Sequence, residues 1–103
     1  MRASTWRALA GPQNADTENY LGFAYRKRGE FELAFQHYGK TLALNPRHRG
    51  AHEYIGETYL LVGDLAKAED HLSALKTICL LPCEELGDLE AKIAEYRRGK
   101  RAN

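Results

Sequence analysis

The chain has 103 residues, 44% of them hydrophobic and 28% charged. A chain of this length supports one modest core, burying only about 65% of the surface its unfolded form exposes. Lys and Arg exceed Asp and Glu by one, 15 against 14, which excludes disorder by composition and capture of a polyanion by net charge. No apolar run exceeds Tyr59–Val62, far short of the roughly 20 residues that cross a bilayer. No apolar stretch follows Arg2 as an export signal requires.

Residues 1–14 carry Trp6, Leu9 and Gly11-Pro12 and read either as the last turns of a helix that begins upstream or as a tail. From Ala15 the pattern is helical. Leu21, Ala24 and Tyr25 form an apolar stripe at spacings of three and four, and Gly29 ends it as a left-handed cap. Phe31, Ala34, Phe35, Tyr38 and Leu42 form a second stripe that closes at Asn45-Pro46. Sliding the chain along itself until Tyr20 meets Tyr54 also superposes Gly22 on Gly56, Tyr25 on Tyr59, Gly29 on Gly63, Ala34 on Ala68 and His37 on His71. Leu21 with Ile55, Phe31 with Leu65 and Leu44 with Ile78 repeat the apolar pattern at the same shift. Each unit is therefore predicted to be a helix hairpin, one over 15–48 and the next over 49–82. A third start at Cys83 opens a single helix over 83–98, with Leu86, Leu89 and Ile93 on its apolar side, and 99–103 is left as a tail. Glu90 stands where Gly22 and Gly56 would recur, which suits a helix that no second helix crosses.

Leu21-Gly22, Tyr25, Ala34, Tyr38 and Pro46, with Ile55-Gly56, Tyr59 and Ala68 after them, resemble the signature of the tetratricopeptide repeat family. The resemblance covers 15–98 and departs from the family pattern at Glu18, His52 and Leu72, where large aromatic residues are usual. It implies an all-α right-handed superhelix of antiparallel helix hairpins, with the 83–98 segment as a capping helix whose charged outer face (Glu90, Glu95, Arg97, Arg98) keeps the end soluble. The small residues have a physical reason of their own: Gly22 and Ala34, and again Gly56 and Ala68, stand where two helices of a hairpin cross closely.

Little in the sequence suggests chemistry. No nucleophile–base pair or pocketed carboxylate dyad is apparent, so an enzyme is not expected, and no cofactor is implied. His48 and His52 are four apart beside Glu53, a spacing that can serve a metal. In register, however, His52 replaces a residue packed between helices and His48 precedes the helix, so no metal site is expected. His37 and His71 recur with the repeat and read as scaffold. Cys79 and Cys83 flank Leu80-Leu81-Pro82, where Pro82 must end the preceding helix. In an oxidising compartment this pair closes a short disulfide loop that staples the last helix to the second unit; in a reducing cytosol it stays as two buried thiols. Paired cysteines before a Glu-Glu-Leu helix also resemble those of small bacterial tetratricopeptide-repeat proteins, which are often exported to the periplasm; without an export signal the compartment stays open. The basic runs Arg26-Lys27-Arg28 and Arg97-Arg98 lack interleaved aromatics and read as solvated, so nucleic acid is not an expected partner.

The family resemblance implies a binding face on the first helix of each unit, a concave groove that takes a partner's peptide or helix. In register its positions are Asn19, Phe23, Arg26 and Lys27, then Glu53, Glu57, Leu60 and Leu61, then Glu84, Gly87 and Ala91 of the capping helix. Phe23, Leu60 and Leu61 also lie off the apolar stripes, where exposed apolar residues are informative. Chaperone-binding members of the family resemble one another in a clamp of Lys, Asn and Arg around a terminal carboxylate. Glu53 and Glu57 oppose that ligand, so the expected partner is an apolar protein segment of basic or mixed charge. The function implied is that of a protein-interaction adaptor. The alternative is a self-assembling module, a homodimer stacked through its N-terminal end.

Overall fold

The computed structural model describes residues 14–102, and among these it contains five helices and no strand. The expected remnant or tail at 1–14 lies outside the described residues except for Asn14. Contacts divide the chain into two compact units at Pro46 and Arg47. The first holds α1 (Ala15–Lys27) and α2 (Phe31–Leu44); the second holds α3 (Arg49–Leu61), α4 (Leu65–Ile78) and α5 (Glu84–Ala102).

In the first unit Asn14 starts α1 by accepting a hydrogen bond at Oδ1 from the Thr17 N–H, 3.1 Å away. Asp16 and Glu18 in the first turn and Arg26 and Lys27 in the last complement the helix dipole. Gly29 ends the helix as predicted: its φ is +80°, and the N–H groups of Gly29 and Glu30 donate to the carbonyls of Arg26 and Tyr25, both at 2.9 Å. Gly63 does the same after α3 with φ +84°. The helix crossing is tight at Gly22, where a Cβ would lie 2.5 Å from the Tyr38 ring. Tyr38 and Ala34 are both fully buried. The buried side of α1 differs from the predicted stripe. Asn19 and Gly22 are buried, Leu21 and Tyr25 half-buried, and Ala24 exposed, because the crossing is centred on Gly22 and turns the helix about that contact.

In the second unit the His48 ring caps α3 by accepting at Nδ1 from the Ala51 N–H at 3.0 Å. Asp64 caps α4 through the Lys67 N–H at 3.1 Å. The core is Ala68, Leu75, Cys79, Leu89 and Ile93, with Tyr59, Leu60, Leu65, Leu72 and Leu86 packed around it. Gly56 differs from expectation: what fills the space over it is Leu89 of α5, whose methyl would lie 2.7 Å from a Cβ there, not a residue of α4. Burying a side chain such as Leu89 or Leu75 contributes about 1.5–3 kcal/mol each, so α5 supplies a large share of this unit's core. Its outer residues Glu90, Glu95, Arg97 and Arg98 are exposed. The tail expected at 99–103 is instead helical through Ala102, and Arg97 and Arg98 near that end suit the negative end of the helix dipole.

α4 ends at Ile78, and Cys79 turns extended ahead of Pro82. Cys79 and Cys83 are joined by a disulfide, with Cα atoms 6.1 Å apart, so of the two redox states open to this pair the structure holds the oxidised one. Among the described residues no helix is long and apolar enough to cross a membrane.

Candidate interaction surface

Each sequence-predicted binding residue sits on a first helix or on α5. On α1, Asn19 is buried at 8% exposure, Phe23 and Arg26 are half-buried and Lys27 is exposed. The Arg26 guanidinium carbon lies 4.9 Å and the Lys27 Nζ 5.7 Å from the Phe23 ring centre, so both cations lie over the same aromatic ring. The result is an apolar ring rimmed by positive charge. The third member of that basic run, Arg28, pairs with Glu30 at 2.9 Å.

On α3, Glu53 and Glu57 are one turn apart and hydrogen-bonded to each other. Glu85 and Asp88, at the start of α5, direct their charge at the same place. Burial pushes the Glu53 carboxyl up to about 8, and the hydrogen bond and charge of Glu57, then the charges of Asp88 and Glu85, push the same way. These causes all favour a proton held between Glu53 and Glu57 over two neighbouring carboxylates. Leu60, farther along α3, packs against the core, whereas Leu61 is 61% exposed. Glu84, Gly87 and Ala91 are exposed on α5. Sequence reasoning missed Glu85 and Asp88. A signal for them existed, since Gly87 is the counterpart of Glu53 one repeat later and these two acids flank it.

The repeated histidines fasten the hairpins. His37 Nδ1 meets Glu18 Oε1 at 2.7 Å and stacks on Tyr25 with ring centres 5.3 Å apart. His71 stacks on Tyr59 at 5.9 Å, and its Nδ1 lies 2.9 Å from that of His52. Glu18 and His52, the family's usual aromatic positions, thus each bind the histidine of the following helix. His48 caps α3 while His52 reaches α4, so the two do not converge on one ion. Among the described residues no group of three or more His, Cys, Asp or Glu is placed to hold a metal. Leu80 and Leu81, in the disulfide loop, are 91% and 79% exposed. With Arg49, Ile78, Pro82 and the two cysteines they line an open hollow of about 300 Å³.

Two successive units of hairpin, each turned by a left-handed glycine and keyed by a small residue on its first helix, define an all-α helical repeat protein. Residues 15–48, the whole of the first predicted unit, match the tetratricopeptide repeat family model, so this unit is similar to a tetratricopeptide repeat. No curated protein matches it. Tetratricopeptide repeats generally mediate protein–protein interaction and are typically not catalytic.

Proposed function

We propose that this protein is a non-enzymatic adaptor that binds a segment of another protein along its first-helix faces, and that the segment combines apolar residues with a basic one. The observation that carries the reading is the acidic group on α3 and α5, where burial and the neighbouring Glu57, Asp88 and Glu85 all raise the Glu53 carboxyl. A lysine or arginine of the partner placed there replaces the proton held between Glu53 and Glu57 with a fixed positive charge and removes the repulsion among the remaining carboxylates. Leu61 lies exposed at the far end of the same helix as an apolar contact. The first unit, by itself, offers a separate contact surface, the Phe23 ring beside the Arg26 and Lys27 cations, which suits apolar and acidic residues of a partner.

A peptide-display selection against the full chain tests this. The expected winners pair apolar residues with Lys or Arg, and their binding falls at least tenfold in Glu57→Lys and falls in Phe23→Ala. Winners rich in Asp and Glu, or binding indifferent to Glu57→Lys, overturn the reading. The self-assembly alternative rests on Trp6 and the N-terminal end, outside the described residues, while α5 exposes the charged Glu90, Glu95, Arg97 and Arg98. Light scattering over a concentration series separates the two, a monomer throughout removing self-assembly.

A further inference from the structure

The contact between His52 and His71 sets the second unit apart from the first. The two Nδ1 atoms are 2.9 Å apart, within hydrogen-bond distance of each other, and the ring centres 5.1 Å. Such a contact needs a proton on one nitrogen and a lone pair on the other. The equivalent contact in the first unit, one repeat earlier, is His37 Nδ1 to Glu18 Oε1 at 2.7 Å. Acid acts on the two contacts differently. An imidazolium donates to a carboxylate more strongly than a neutral imidazole does, so proton uptake by His37 leaves the first contact closed. Two imidazoliums have no lone pair between them, and full protonation of His52 and His71 sets N–H against N–H.

We propose that the His52–His71 contact is an acid-released latch between α3 and α4, and that the α1–α2 hairpin, fastened by Glu18, lacks this release. The first proton taken up lands on the outer nitrogen of the donor ring and leaves a charge-assisted N–H···N bond. The second must claim the shared lone pair, and this step opens the latch. The surroundings resist that second proton. Burial and then the charge of His52 lower His71 to about 4, against a smaller opposing pull from Asp70 beside it on α4. From α3, Tyr59 presents its ring to His71. From α5, Glu85 and Asp88 act on Glu53, and Arg97 pairs with Glu69 of α4. Because His71 binds its proton less readily folded than unfolded, its contribution to the hairpin is full above pH 6.5 and is lost as the pH falls through about 4. Glu53 titrates over an overlapping range with the opposite sign, so the latch is read as a difference between variants.

The test is amide hydrogen-exchange protection, corrected for intrinsic rates, together with imidazole NMR of the full chain between pH 7.5 and 4. Wild type is compared with His52→Glu, which gives the second unit the contact of the first, and with Glu18→His, which does the reverse. Between pH 6.5 and 4 the α3–α4 amides of wild type should lose about tenfold more protection than those of His52→Glu. Glu18→His should carry the loss into α1–α2. Equal losses in wild type and His52→Glu, or equal losses in both hairpins of wild type, overturn the proposal. So does a His71 imidazole that titrates near 6.5. The wild-type titration and the comparison of its two hairpins decide the matter even where a variant fails to fold.

Discussion

Leu89 of the last helix occupies the space that Gly56 leaves open on α3, its methyl carbons 2.7 and 2.9 Å from where a Cβ would stand. In the first unit the same place, Gly22, is filled by the ring of Tyr38, at 2.5 Å. The two glycines are equivalent in sequence but face different neighbours. A Cβ on Gly22 meets a rigid ring that is itself fully buried, so Gly22→Ala should destabilise by about 1–3 kcal/mol through overpacking, after part of the cost is offset by alanine's roughly 1 kcal/mol better helix propensity. Gly56→Ala meets the movable end of a leucine and should cost distinctly less. Urea denaturation of the two variants measures the difference, and a larger loss for Gly56→Ala contradicts this account.

Leu89 is also where the second unit is most exposed to damage. It is fully buried, in a cluster with Ala68, Leu75, Cys79 and Ile93. Leu89→Ala removes its methyls from over Gly56, the residue least able to fill the gap, and should cost about 2–5 kcal/mol. Hydrogen exchange should show the loss in α3, α4 and α5. An equal loss of protection in α1 and α2 would mean that the two units unfold as one.

The disulfide contributes less than its position suggests. It closes a loop of only five residues, 79–83, and loop-closure entropy at that length amounts to about 2 kcal/mol. Reduction, or Cys79→Ser with Cys83→Ser, should therefore lower stability by about that amount or less and leave the helices in place by circular dichroism. Complete unfolding on reduction would show that the core of the second unit depends on the crosslink.

The hairpins were legible because their signals are local. The repeat that carries Tyr20 onto Tyr54, the glycines at 29 and 63 and the prolines at 46 and 82 each act through backbone geometry or spacing that single residues dictate. Packing across helices was less so. The sequence places Gly56 at a crossing without saying that α5 fills it, and it marks Ala24 as apolar although the crossing at Gly22 turns it to solvent. The candidate surface was read least completely. Glu53 and Glu57 stand out by their register, but the acids that complete the group, Glu85 and Asp88, come from another helix, and only the packing of α5 on α3 brings their charge to bear. His71 reads as scaffold and His52 as a residue packed between helices, but their pairing does not show, since hydrogen bonding between residues 19 apart leaves no trace in a periodic pattern.

The acidic group makes a prediction about pH that needs no partner. Glu53 has its carboxyl raised from 4.5 to about 8 in the folded chain, so folding is linked to holding a proton there. The contribution is full below 4.5 and is lost as the pH rises through 8, where the folded unit must hold ionised Glu53 against Glu57, Asp88 and Glu85. Replacing Glu53 with Gln keeps a donor for Glu57 and removes the titration. Wild type should accordingly lose stability between pH 5 and pH 9 relative to Glu53→Gln, with the two close together at the acid end and the variant the more stable at the alkaline end. Urea midpoints measured on both chains across that range check the sign. Parallel curves would mean that water reaches Glu53 freely enough to ionise it without cost, and would remove the repulsion on which a basic partner residue is proposed to act.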